Sequence, residues 1–335
     1  MKKKLEIFTT IFFTVAPFIA IIICLGVGRY QISIGETLEA LMSVASGREI
    51  DKVVYSVIFN VRLPRIILAL FVGAGLAVAG ASFQSLFSNP LATPDTLGVA
   101  TGASFGAVLA LLNSNNMIVI QLMALAFGLI SLLITCVVSK MNGKSSIIMV
   151  VLSGMVVSSI FQALVSLIKY IADTEEKLPA ITYWLMGSMS KASTSGLMIG
   201  VPFILVGIAL LWMLRWRINI ISLHEDEAKS LGINVKKLRL LVMLASTLIT
   251  ASCVSMCGQV GWIGLLVPHT ARMIYGSDNK KLISACVGIG STFMIIIDTI
   301  ARAASSSEIP VSILTALIGA PFFVLLLRKT GGARL

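Results

Sequence analysis

The sequence predicts an all-α polytopic membrane protein with about ten transmembrane helices, both termini in the cytoplasm, and one transmembrane domain spanning 1–335. Three observations carry that expectation. Of 335 residues, 57% are hydrophobic and 12% charged, with a mean hydropathy of +0.98. A soluble domain carries about 25% charged residues, so this chain has half the usual polar cover. Its apolar residues fall in runs of bilayer length, and its basic residues gather on one side of those runs.

The N-terminus MKKKLEIFTTIFFTVAPFIAIIICLGVG begins like a signal peptide. Its apolar stretch outruns a signal h-region and no small-x-small cleavage site follows, so it reads as a first spanning helix with its lysines held inside. With glycines, prolines and charges as breaks, spans are expected at 8–29, 64–87, 96–112, 117–139, 146–169, 195–214, 239–258, 262–276, 282–302 and 311–328. Only CGQVGWIG joins the seventh and eighth, so the eighth is short. The run PAITYWLMGSMS at 179–190 is too short to span and reads as a broken or re-entrant helix.

Charge tests the count independently. With the N-terminus inside, 17 of the 26 Lys and Arg fall on the inner side together with six acidic residues. The inner face then carries the whole formal net charge of +11, and the outer side sums to zero. A wrong number of helices would scramble that segregation.

No catalytic constellation is found. His224 and His269 lie in different segments, and no serine–histidine–acid arrangement can be built. Gly143-Lys144-Ser145 looks like the end of a phosphate-binding loop, but Val138 stands where the leading glycine belongs. Cys24, Cys136, Cys253, Cys257 and Cys286 sit inside apolar runs, as small buried hydrophobes rather than a disulfide framework or metal site. The expectation is therefore a non-enzyme with no metal site, whose energy comes from an ion gradient or from another polypeptide. An ion-coupled secondary transporter is the alternative reading. It would keep ionisable groups at mid-membrane depth, whereas Asp298, Arg302, Arg272 and Glu308 lie near helix ends.

Three further stretches stand out. Asn60-Val-Arg-Leu-Pro-Arg65 places two arginines on the outer face, either snorkelling to lipid phosphates or forming a docking pair for a partner's carboxylates. The second helix is crowded with Gly, Ala and Ser, suited to close packing in lipid, and Ser88-Asn-Pro-Leu-Ala-Thr-Pro-Asp95 makes a stiff inner turn able to narrow a pore. The charged island HEDEAKSLGINVKKLR at 224–239 interrupts an apolar region on the inner side. Glu225 to Leu231 reads as one short helix with an acidic first turn, Gly232 as a divider, and Asn234 as the cap of a second helix through Lys236, Lys237 and Arg239.

In family order the chain carries RLPR (62–65), GAGLAVAGASFQSLFSNPLATPDTLGVATGAS (73–104), YWLMGS (183–188), EDEAKSLGINVKKLR (225–239), GLLVPHTARMIYGSD (264–278) and DTIARAASSSEIPVSILTALIGAPFF (298–323). It resembles the permease subunits of ABC importers (FecCD-type, type II) for iron–siderophores, haem and cobalamin. Trp262 and Asn279 depart mildly from the family pattern, which usually has phenylalanine and often histidine there.

The resemblance implies several expectations. One is a permease for a ferric siderophore, haem or cobalamin in the bacterial cytoplasmic membrane, among membrane lipids, with no role in binding nucleic acid. Partners would be a second permease copy or paralogue, a cytoplasmic ABC ATPase dimer and an extracytoplasmic substrate-binding protein. The permease itself binds no cofactor, since ATP and Mg belong to the ATPase. Within the coupling region 223–239, short helices between the sixth and seventh spans would carry the ATPase contact through Glu225, Asp226, Glu227, Ala228, Leu231, Gly232 and Asn234. Arg62, Arg65 and Arg302 would meet the binding protein. Asn89, Leu91, Ser145 and Ser146 would line the pathway or its inner gate, and Trp184 to Ser188 would lie in a short outer helix beside it.

Overall fold

The structure is a computed structural model, and it describes residues 2–46, 50–140, 146–221, 227, 230–305 and 307–330. Among these residues the architecture is all-helical, and each of the ten expected spans is a helix. In chain order the helices are α1 (Lys2–Gly26), α2 (Ile34–Ser46), α3 (Lys52–Tyr55), α4 (Leu63–Leu86), α5 (Val99–Asn113), α6 (Met117–Val138), α7 (Ile147–Ile171) and α8 (Lys177–Leu185). They continue with α9 (Thr194–Ile221), α10 (Val235–Cys257), α11 (Ile263–Tyr275), α12 (Asn279–Ala303) and α13 (Val311–Thr330). Among the described residues, seven helical segments are both long and apolar enough to cross a bilayer unaided; α5, α11 and the apolar part of α13 are shorter.

α4 is the hub. It packs along α12, α9, α10 and α11, and from Val72 to Leu86 every residue is buried. Its glycines permit this. A Cβ at Gly73 would collide with the Gly290 carbonyl and lie 2.6 Å from Met294 Cβ, and one at Gly80 would collide with the backbone of Gly264. Lipid supplies no hydrophobic drive between helices, so close backbone approach and the dispersion it brings hold this centre together. Around the hub, α6, α7 and α9 keep large apolar side chains outward, among them Leu133, Met155, Leu205 and Met213. Such faces are at rest only against lipid or another apolar surface.

Two differences from the sequence reading lie on the outer side. The first is α2, between the first two expected spans, where no helix is expected. It is started by a capping box: the Ser33 N–H donates to Glu36 Oε2 at 2.8 Å, and the Glu36 N–H donates to Ser33 Oγ at 3.1 Å. The Ser33 N–H and the Ser33 hydroxyl both stabilise the ionised carboxylate and hold the Glu36 pKa below its usual range. The second is the start of the second span. Asp51 caps α3, the chain continues as a π-helix over Ser56–Arg62, and α4 follows without a break, giving 35 residues of helix from Lys52 to Leu86. Pro64 falls where the π-helix hands over to α4, and it donates no backbone hydrogen bond to the preceding turn.

α8 is the short, non-spanning helix expected near 179–190. Gly187 follows it at φ +72°, and a Cβ there would collide with the Gln259 carbonyl. Ser188 N–H donates to the Cys257 carbonyl at 2.8 Å, and Val311 N–H donates to the Gly187 carbonyl at 3.0 Å. The outer ends of α8, α10 and α13 are thereby tied together.

Candidate functional site

On the inner side α4 ends at Leu86 and the chain enters the expected stiff turn. Ser88 takes a positive φ of 47°, and Asn89 Oδ1 accepts the Leu91 N–H at 2.9 Å, an Asx turn that fixes the loop locally. Pro94–Leu97 forms one 3-10 turn, and Gly98 at φ +74° turns the chain into α5. Both neighbours clamp this element. Ser131 Oγ and Thr135 Oγ of α6 each donate to the Leu97 carbonyl at 3.1 Å. On α7, Gly154 lets the Thr96 carbonyl approach closer than any side chain would allow. The clamped turn leaves Asn89 exposed and Leu91 52% exposed, so both expected gate residues project from a rigid base. Ser146 caps α7, its Oγ accepting from the Met149 N–H at 3.2 Å, and is also exposed. Ser145 lies outside the described residues.

The charged island is partly described. Glu225, Asp226 and Ala228 lie outside the described residues. Glu227 and Ser230 are helical, and the Leu231 N–H donates to the Glu227 carbonyl at 3.3 Å, closing one turn. Leu231 is 60% exposed. Gly232 stops the turn at φ +74°, the usual way to end a helix at a left-handed residue. Asn234 then caps as expected, its Oδ1 accepting the Lys237 N–H at 3.0 Å. The helix it starts is not a separate short one: it is α10, which runs on to Cys257. Nothing between Lys236 and the apolar span breaks the helix, so the second half of the island is the first turns of a membrane-crossing rod.

The three outer arginines, expected to meet a binding protein, turn inward. Arg62, Arg65 and Arg302 are 3%, 5% and 8% exposed, and their guanidinium groups are committed inward. Arg65 Nε donates to both carboxylate oxygens of Asp298, at 2.8 and 2.9 Å, and its Nη1 donates to Glu308 at 2.7 Å. Arg62 donates to the carbonyls of Leu25, Gly26 and Tyr30, and Arg302 to that of Cys24. The Cys24, Leu25 and Gly26 carbonyls lie in the last turn of α1, which leaves them without helical donors, and Tyr30 lies in the connection that follows. A buried guanidinium must find acceptors or bear a large desolvation cost. In this conformation the arginines therefore brace α1, α4 and α12 instead of facing a partner.

Sequence reasoning missed a polar network on the inner half. Arg272 Nη1 donates to Gln84 Oε1, and Gln84 Nε2 donates to the Gly264 carbonyl at 3.0 Å. Nearby, Ser85 Oγ donates to Asn279 Oδ1 at 2.9 Å, Asn279 donates to Asn219 Oδ1, and Asn219 Nδ2 donates to Asp278 at 2.7 Å. Asp278 also caps α12. The Lys280 N–H and the Asn219 amide hold its carboxyl below the usual range. The only signal in the sequence was the clustering of amides and charges at helix ends. Among the described residues no group of His, Cys, Asp and Glu is arranged to hold a metal ion.

The arrangement offers a clamped inner turn, a projecting knob rooted in a spanning helix, and an outer end tied by hydrogen bonds. Comparison with known proteins gives the same class. The model of the FecCD transport family matches residues 16–329. The molybdate import system permease protein MolB of Haemophilus influenzae is 43% identical over 312 residues, covering 93% of this chain and 92% of that one. The cobalamin import system permease protein of Halobacterium salinarum is 36% identical over 273 residues, covering 81% of this chain and 73% of its own length. A solved structure described as an inward-facing conformation of a metal-chelate type ABC transporter superposes with a TM-score of 0.87. It is 40% identical and covers 96% of this chain and 99% of its own. The chain belongs to the FecCD transport family: it is an ABC importer permease, a translocation subunit and not an enzyme.

Proposed function

We propose that this permease moves a metal chelate (ferric siderophore, haem or cobalamin) across the bacterial cytoplasmic membrane by alternating access. A cytoplasmic ABC ATPase dimer drives it, an extracytoplasmic binding protein delivers the cargo, and a second permease copy or a paralogue completes the pathway. The observation that carries the reading is the continuity of knob and rod. The Glu227–Gly232 turn leads through Asn234 directly into α10, 23 residues and about 35 Å of unbroken helix. At its far end α10 meets the α8 and α13 connections through Cys257. A push on the knob at the inner surface is thus delivered to the outer end as a tilt of one rigid body. The same tilt moves α10 against α4 and α6, whose contacts hold the Asn89–Leu97 turn at the inner gate.

The knob presents Glu227, Leu231 and Gly232, with Glu225, Asp226 and Ala228 beside them in sequence, to a groove on each ATPase. ATP and Mg act in those subunits, and the permease contributes the stroke. Asn89, Leu91, Ser145 and Ser146 line the inner gate, and the buried arginines stiffen the outer end against which the binding protein rests.

A second cargo, molybdate, is favoured by the 43% identity to a molybdate permease, since close permeases share pathway dimensions. Uptake decides between them. Cells that express the importer are supplied with labelled ferric siderophore, haem, cobalamin or molybdate. Accumulation of one chelate that stops on ATP depletion and survives collapse of the proton gradient supports the proposal. Accumulation of molybdate alone reassigns the cargo. Dependence on the proton gradient refutes the ATP-driven mechanism and restores the secondary-carrier reading.

A further inference from the structure

On the outer side, α2 carries an exposed apolar stripe. Over residues 34–43 the helix divides into three sectors. Thr37 and Ala40 are fully buried and face the protein. Glu36 and Glu39 are exposed and form a second sector. Ile34, Leu38 and Met42 form the third, and they are exposed too, Met42 by 64%. Positions four apart on a helix drift by only about 40°, so these three make one continuous stripe. Glu39 lies about 100° round from Leu38 on one side, and Thr37 about 100° round on the other.

The level of α2 is set by α1. The apolar span of α1, Thr9–Gly26, has 18 residues, and the roughly 27 Å they cover approaches the roughly 30 Å of a bilayer's hydrocarbon core. Gly26 therefore lies at the outer edge of that core. α2 is fastened to the same point: the Ile32 N–H donates to the Gly26 carbonyl at 3.4 Å, and a Cβ at Gly26 would lie 3.5 Å from Thr37 Oγ1. Exposed apolar side chains run up α1 through Phe18, Ile22 and Val27, and exposed Tyr30 follows in the connection. Tyrosine is favoured where acyl chains meet water. One sector of α2 is attached to the protein, so its two exposed sectors divide between membrane and water. The stripe loses by facing water and the carboxylates lose by facing hydrocarbon, and a single orientation satisfies both.

We propose that α2 is an interfacial helix lying in the outer leaflet, with Ile34, Leu38 and Met42 sunk among the upper acyl carbons and Glu36 and Glu39 turned to the water. Its partner is the lipid surface itself, not one bound lipid molecule. The buried sector of α2 joins the end of α1, where Arg62 binds the carbonyls of Leu25, Gly26 and Tyr30 and ties α1 to α4. The leaflet thereby holds the outer end of α1 at a fixed depth while the inner ends of the helices tilt. The inference rests on neither the cargo nor the partner subunits.

Fluorescence quenching tests it. Full-length permease is labelled with the fluorophore NBD at Ile34→Cys, Met42→Cys or Glu39→Cys, one site at a time. The background is Cys136→Ser, because the other four cysteines are buried. Each sample is placed in nanodiscs of phosphatidylcholine and phosphatidylglycerol, which leave both membrane faces open to an aqueous quencher. Phosphatidylcholine spin-labelled at acyl carbon 5 should quench the labels at 34 and 42 at least threefold more than iodide does. The label at 39 should show the reverse order. Adding Ile34→Gln/Leu38→Gln should raise iodide quenching of the label at 42 at least twofold, since the stripe is what holds the helix down. Four results overturn the proposal. Stronger quenching of the label at 42 by iodide puts the stripe in water, and its shielding by an added binding protein would make it a docking face. Quenching by neither agent means that protein covers it. Stronger quenching by a spin label at carbon 12 than at carbon 5 places α2 too deep. Unchanged iodide quenching in the glutamine variant removes the stripe as the cause.

Discussion

Gly232 concentrates the coupling argument in one backbone angle. It sits at φ +74°, and a Cβ built there meets no atom within 4 Å. A substitution is therefore free of steric contact, and its whole effect is conformational. A left-handed conformation costs an L-residue roughly 1–2 kcal/mol, and a β-branched residue tolerates it least. Gly232→Val releases that strain by letting the knob leave its turn. If the ATPase accepts only the native knob, it must restore the strain on binding, and its affinity falls by about five- to thirtyfold. Gly232→Asn should lie close to wild type, since asparagine visits the left-handed region readily. Gly276 is the control, at φ +78° and also with nothing within 4 Å, but in the connection between α11 and α12. Its ψ of −169° puts it in a region that essentially only glycine occupies, so Gly276→Val carries at least as much backbone strain without touching the knob. The assay is titration of purified ATPase onto immobilised permease. Equal affinity for the wild type and Gly232→Val, or equal losses for Gly232→Val and Gly276→Val, would refute the assignment of coupling to this turn.

Three other perturbations follow from the geometry. Asp298→Asn leaves the buried Arg65 with Glu308 as its one acidic partner; breaking a buried pair costs about 3–5 kcal/mol, and thermal unfolding in detergent should show a clear fall in Tm, with no fall arguing against the bracing role. Gly290→Val drives a branched side chain toward the Gly73 carbonyl and Ala77 across the α4–α12 contact, so it should destabilise by about 1–3 kcal/mol and lower the yield of folded protein, which size-exclusion chromatography reads. The depressed pKa of Asp278 predicts an acid-sensitive contribution: its stabilisation is complete above the unfolded value of 3.8 and is lost as pH falls through the lower folded value. Asp278→Asn keeps a capping side chain and removes that titration, so a Tm series from pH 6 to 3 should fall less steeply for the variant than for the wild type, and parallel curves contradict the assignment.

The spans, the short outer helix and the cap at Asn234 were legible because each has a local cause: apolar runs, glycine breaks, a side-chain oxygen three residues before its donor. Inward use of Arg62, Arg65 and Arg302 was not legible, because it depends on carbonyls of α1 and on Asp298 and Glu308, which only the tertiary fold brings near. Positive-inside reasoning marked Arg62 and Arg65 as unusual on the outer side, but it could not reach the contacts they make there. The helical run from Lys52 to Arg62 was hidden by Lys52, Asn60 and Arg62, charged and polar groups that suggested a loop. The capping box at Ser33 and Glu36 is present in the sequence, but α2 is amphipathic and too short to span, so a search for apolar runs of bilayer length does not reach it. The network of Gln84, Arg272 and Asn279 joins residues nearly two hundred positions apart, beyond any periodicity or spacing rule.

The central claim is that the chain is a lever moved by a separate motor. It is tested most directly by uptake into proteoliposomes that contain purified permease, with and without its ATPase subunits. The account predicts no accumulation above equilibrium from permease alone under any ion gradient. It predicts uphill accumulation once ATPase, ATP, Mg and loaded binding protein are supplied. Concentration of cargo by the permease alone contradicts it.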